Sequence, residues 1–195
     1  MRDETFIYDY KYFPMSTMNK YEQEDVHSLS TILGKKFEKI AVLSDAEVKI
    51  RFLSERTAAI VQLVTQVEMP SDGMYKILKS SDWKEKLEYF MLEDSITALQ
   101  VLGFNGSHLS QIVVNAGWKE KLSWLFHKDF YQIFLSGFEQ THIAKILKTK
   151  EWKERIGYVM KYKERVSLLI KEQGKNEIML RFLKKDWKKD PAFTR

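Results

Sequence analysis

Trp118-Lys119-Glu120-Lys121-Leu122 decides the fold, because near-copies of it recur along the chain. Trp83-Lys84-Glu85-Lys86-Leu87 precedes it, Trp152-Lys153-Glu154-Arg155-Ile156 follows, and Trp187-Lys188-Lys189 is a truncated fourth copy. The tryptophan intervals are 118−83 = 35, 152−118 = 34 and 187−152 = 35. Self-similarity at a fixed period of roughly 20–50 residues is the signature of stacked structural repeats.

The apolar residues around each Trp give the unit its shape. Met74, Ile77 and Leu78 lie nine, six and five residues before Trp83. Leu109, Ile112 and Val113 repeat that spacing, as do Ile143, Ile146 and Leu147. These spacings form one face of a short helix. After each Trp, Leu87, Phe90 and Met91 are matched by Leu122, Leu125 and Phe126, and by Ile156, Val159 and Met160. Ala98 and Leu99, Ile133 and Phe134, and Ser167 and Leu168 extend the stripe into one long amphipathic helix. Gly103-Phe104 and Gly137-Phe138 close the long helices, where Gly suits a left-handed C-terminal cap.

One such helix pair cannot bury its own face, whereas stacked pairs share a continuous core. The expected fold is therefore all-α, a right-handed superhelical solenoid of helix-loop-helix repeats of 34–35 residues with a helical N-terminal cap. The repeat domain spans 69–195, as units 69–102, 103–136, 137–171 and a partial 172–195. Ahead of it, 21–68 forms the cap and 1–20 an aromatic-rich arm holding Phe6, Tyr8, Tyr10, Tyr12 and Phe13. Glu22 to Leu43 reads as helix with a break at Gly34. The phrase Ile32 to Ile40 reads as a degenerate repeat with Phe37 in place of Trp. Ser44-Asp45-Ala46-Glu47 fits a capping box opening a helix at Asp45, with Val48, Phe52, Ile60, Leu63 and Val67 on its apolar face.

Composition excludes several functions. With no cysteine among 195 residues there is no thiol catalysis, no disulfide framework and no thiolate metal site. His108 and His142 hold equivalent repeat positions and have no companions at metal spacing, so no metal is expected. No phosphate loop, nucleophile elbow or paired-carboxylate signature is present; the expectation is a non-enzyme without cofactor. No run approaches the roughly 18 apolar residues of a membrane span, so no membrane partner is expected. The chain is expected to be soluble and intracellular, or secreted into a host cell.

The functional candidates sit where each long helix begins. Asp82, Gly117, Glu151 and Asp186 occupy the N-cap, and Lys84, Lys119, Lys153 and Lys188 the first turn. A cation there is disfavoured by the helix dipole by about 0.3–1 kcal/mol. Its recurrence points to an anionic partner, for which a helix start is suited. Joined by Lys86, Lys121 and Arg155, these lysines would line a basic stripe able to track a phosphate backbone. The competing explanation is a solvated surface with lysines paired to nearby Glu. The tryptophans themselves read as core caps between repeats rather than base-stacking platforms.

Gly103-Phe104 through Leu122, and Gly137-Phe138 through Ile156, resemble the repeats of transcription-activator-like effectors and their bacterial relatives. The matching residues are Ile112, Asn115-Ala116, Gly117, Lys119 and Leu122. Ile146, Thr149-Lys150, Lys153 and Ile156 match after them, as do Ile77, Ser80-Ser81, Lys84 and Leu87. The resemblance implies a right-handed superhelix along the DNA major groove. Gly117 and the lysines would approach phosphates, and the loops Ser80-Ser81, Asn115-Ala116 and Thr149-Lys150 would face bases. Trp stands at the turn where that family has glycine, and acids stand before it at 82, 151 and 186. The leading expectation is a non-catalytic nucleic-acid-binding repeat protein, with DNA ahead of RNA. The alternative is a protein-interaction scaffold, such as a secreted bacterial effector or adaptor.

Overall fold

The computed structural model describes residues 20–194, and the aromatic arm expected at 1–20 falls outside them but for Lys20. The described residues are helical throughout, with no strand. They divide into two compact units, 1–92 and 93–195, each described by itself.

The first unit holds α1 (Lys20–Leu33), α2 (Lys35–Ala41), α3 (Ala46–Ser54), α4 (Thr57–Thr65), α5 (Ser71–Leu78) and α6 (Trp83–Phe90). The second holds α7 (Glu93–Val101), α8 (Gly106–Val113), α9 (Trp118–Leu125), α10 (Phe130–Leu135), α11 (Gln140–Lys148), α12 (Trp152–Lys161), α13 (Lys163–Gln173) and α14 (Lys175–Phe182). A single 3-10 turn, Trp187–Lys189, ends the series where the fourth repeat degrades.

The unit is a helix triplet rather than the expected pair. The long helix breaks after Phe90, across His127-Lys128-Asp129, and at Tyr162. In the second unit the helices that follow these breaks pack beside α12, α10 and α13 both lying against it. Leu99 and Ile133 stay in the core as expected, but in the third triplet Val166 is buried and Leu168 is exposed. Phe126 is likewise exposed, because α9 ends one residue before it.

The short helices behave as their spacing demands. Met74, Ile77, Leu78, Leu109, Ile112, Val113, Ile143, Ile146 and Leu147 are all essentially inaccessible. In the second unit α8 lies against its equivalent α11, and in the first α2 lies against α5. The latter contact identifies a degenerate repeat, in a different register from the expected one. Phe37 and Ile40 hold the places of Met74 and Ile77, and Ala46 stands where the later repeats have Trp. The helix at Ala46 has no side-chain cap bond, so the expected capping box is not formed. Val48 faces solvent, while Ile50 and Leu53 supply the face instead.

Glycine is required at one boundary in particular. Gly103 has φ +79°, and a Cβ there would fall 2.3 Å from Gln140 Nε2. That amide donates to the Leu102 carbonyl at 3.1 Å, tying one repeat's end to the next repeat's short helix.

Candidate nucleic-acid interface

The geometry is set by what the N-cap acids do. Asp82 and Glu151 occupy the N-caps of α6 and α12 without capping them by a side-chain bond. Their carboxylates reach one turn forward instead. Asp82 Oδ1 lies 2.6 Å from Lys86 Nζ, and Glu151 Oε2 lies 3.2 Å from Arg155 Nη2. Asp45 does the same for Lys49 at 2.5 Å. Lys86 also donates to Ser80 Oγ at 3.0 Å, and Arg155 to the Lys184 carbonyl at 3.2 Å.

These cations are buried. Lys49, Lys86, Lys121 and Arg155 expose only 3–4% of their surface. Lys86, Lys121 and Arg155 therefore do not join an exposed phosphate-binding stripe. The reason is helical phase: each lies four residues before a core residue, Phe90, Leu125 or Val159, and so on the inward face. Arg155 extends toward the next repeat, its guanidinium 5.4 Å from the Trp187 ring centre. Burial presses its pKa down, and the Glu151 carboxylate opposes that.

The lysines directly after each Trp are the exposed set. The side chains of Lys84, Lys153 and Lys188 are about 60% accessible, and Lys119 is exposed with them. In the second unit Lys153 pairs with Glu120 of the preceding repeat at 2.5 Å, and Lys188 with Glu154 in the same way. Lys84 sits 5.8 Å from the Phe52 ring centre, with Glu88 at 3.9 Å. Lys119, Lys153 and Lys188 each lie 5.6–5.8 Å from the ring centre of the Trp before them. The row is thus laced by carboxylates from repeat to repeat. Such exposed pairs are worth about 0–1 kcal/mol and yield to a stronger anion.

The loops before each Trp divide their two residues between two tasks. Ser80, Asn115 and Thr149 each donate back to a helix carbonyl at 2.7 Å, on Ile77, Gln111 and Ile146 respectively. Ser81, Ala116 and Lys150 are exposed. Gly117 is exposed too, with φ +69° and open space where a Cβ would stand.

Comparison with protein-family models, with curated proteins and with solved structures finds no match.

Trp83, Trp118, Trp152 and Trp187 expose 2–9%, and three of them meet other rings, Trp83 on Phe52, Trp152 on Trp124 and Trp187 on Phe182. They build the core and offer no face to a base. The repeat histidines cap the short helices. His108 Nδ1 accepts from the Asn105 N–H and His142 Nδ1 from the Glu139 N–H, at 3.3 and 3.2 Å. That leaves Nε2 protonated, and it reaches Thr141 Oγ1 and Asn176 Oδ1 of the following repeat. The spacing of 34 located these residues, but not their bridging role.

Charge was the signal that whole-chain counting concealed. Residues 93–195 hold 19 Lys and Arg against 12 Asp and Glu, a net +7; residues 1–92 hold 13 against 15, a net −2. A cleft of about 380 Å³ also opens between α9 and α12, floored by Trp124, Trp152, Ile156 and Met160. Among the described residues, no helix is long and apolar enough to cross a membrane.

Proposed function

We propose that residues 93–195 form a non-catalytic nucleic-acid-binding array, with DNA ahead of RNA, built as a right-handed solenoid of the effector-like type. The observation that carries this reading is the concentration of charge: the half with the regular repeats is +7 while the other half is −2. Charge asymmetry between halves is a mark of polyanion binding. Lys119, Lys153 and Lys188 supply phosphate contacts at one step per repeat, and Ala116 and Lys150 stand outward on braced loops. Phosphates would take these lysines from Glu120 and Glu154, an exchange of one exposed anion for another.

The ladder supplies the test. Glu120→Gln and Glu154→Gln together free Lys153 and Lys188, and affinity for a fluorescent DNA duplex should rise several-fold at low salt. Lys119→Glu, Lys153→Glu and Lys188→Glu together should abolish binding. The salt slope of log affinity should match roughly 0.9 per phosphate neutralised. Absence of any anisotropy change with single- or double-stranded DNA at low salt would sink the reading. The scaffold alternative rests on the α9–α12 cleft, whose apolar floor fits a partner's side chain. It requires binding that ignores salt and the two Glu→Gln changes.

A further inference from the structure

We propose that the turn opening α9 is an oxyanion site that takes a carboxylate from a ligand or partner, held by Lys121 at the place Gly117 leaves vacant. The inference rests on comparing equivalent turns within the chain, not on nucleic-acid binding. In three turns a buried cation is met by a carboxylate four residues earlier: Lys49 by Asp45, Lys86 by Asp82 and Arg155 by Glu151. The fourth turn keeps the cation and lacks the acid, since Gly117 stands at the N-cap.

Lys121 is as buried as its counterparts, at 4% exposure, yet its ammonium has no hydrogen-bond or ion-pair partner among the described residues. Glu120, the acid whose charge acts on it, is engaged by Lys153 at 2.5 Å. Among the described residues the sealed side-chain nitrogens left without a partner are Arg155 Nε and Nη1, so the Lys121 ammonium, for all the burial of its stem, keeps a path to solvent along which an anion can reach it. Burial draws the Lys121 pKa below its ordinary value.

Three features define what fits. A side chain at the fourth position of a helix leans back toward the helix start, as Lys49, Lys86 and Arg155 do in reaching their acids. The start of α9 carries the positive end of an eight-residue helix, which favours an anion. Nothing lies within 4 Å of a Cβ built on Gly117, so the space that Asp82 or Glu151 fills elsewhere is open there. The group that completes the turn is the one its counterparts hold, a carboxylate.

The experiment uses the full chain with its Lys Cε–Hε signals followed by NMR, the Lys121 signal assigned by its loss in Lys121→Met. Sodium acetate should move the Lys121 signal saturably, raise its pKa and leave Lys86 unmoved, whereas sodium chloride at equal ionic strength should do neither. Gly117→Asp supplies the carboxylate within the chain. It should raise the Lys121 pKa without acetate and abolish the acetate response, and Asp is among the side chains that tolerate positive φ best. A sodium phosphate arm separates the anion classes. A response to phosphate without one to acetate overturns the assignment, as does a response shared equally by Lys86, or one that survives Gly117→Asp. Lys121→Met is expected to fold, and loss there of the acetate-induced shifts of the Gly117 to Leu122 backbone amides reports the site, whereas shifts that persist overturn it.

Discussion

The turns before Trp83 and Trp118 open helices that begin with the same five residues, Trp-Lys-Glu-Lys-Leu, but close their electrostatics differently. In the first, Lys86 is enclosed with Asp82 at 2.6 Å and Ser80 at 3.0 Å. In the second, Asn115 stands where Ser80 was and donates back to Gln111, and Gly117 stands where Asp82 was. Lys121 keeps its depth without either partner. The repeat thus holds its buried cation constant and varies the counter-charge. Within each turn the cation keeps its place, and the acid beside it is the adjustable part.

The largest effect comes from the element that both turns share. Trp152→Ala should cost about 3–5 kcal/mol, the usual range for deleting a buried large aromatic. The ring is 8% exposed and meets Trp124 at 6.2 Å. Urea unfolding reads the loss. Unchanged stability would mean that the Trp serves a ligand and not the stack. The chain contains its own precedent, since Ala46 occupies the Trp position in the degenerate repeat, where Phe52 reaches across to Trp83 instead.

The next effect separates the two turns directly. Asp82→Ala strands a buried ammonium and should destabilise by about 2 kcal/mol, below the full cost of breaking a buried pair because Asp82 is 39% exposed. Lys121→Met removes the unpartnered charge and should be neutral or stabilising, as apolar replacements of buried ions often are. Both are read as shifts in urea midpoint at constant slope. Equal losses in the two variants would erase the distinction between the turns.

The sequence displayed the repeat clearly, because tryptophans 34 and 35 residues apart and the recurrent apolar trios survive in any reading of periodicity. The glycine caps were legible for the same reason, Gly103 and Gly137 both having positive φ. What periodicity did not show was where the second helix breaks. No proline marks residues 91–92, 127–129 or 162, and the apolar stripe runs on through each break. The buried cations were hidden by their chemistry. Lys86, Lys121 and Arg155 are in phase with the core, but a charged side chain reads as solvent-facing unless its partner is found. The partner, four residues back, reads as a helix cap. The site was thus half legible: the exposed lysines stood out, while the division of labour in the loops and the Lys–Glu ladder needed coordinates.

The smallest effect tests pairing at the surface, where charge is cheap to rearrange. Asp72, about half exposed on α5, meets both Lys36 of α2 and Lys76 of its own helix. These hydrogen bonds lower its pKa from 3.8 to about 2. A carboxyl whose folded pKa lies below its unfolded value contributes stability that is present above the unfolded pKa. That contribution fades as pH falls from about 4 and is gone below about 2. Asp72→Asn should therefore flatten the acid limb of the stability curve in that window and leave the plateau near neutrality slightly lower. Melting temperatures of both proteins between pH 7 and the acid limb check this. Parallel curves would mean that Lys36 and Lys76 are merely near Asp72. Convergence at low pH would show that neighbouring repeats of the first unit are held at their surface by the kind of ion pair that the buried cations make within the stack.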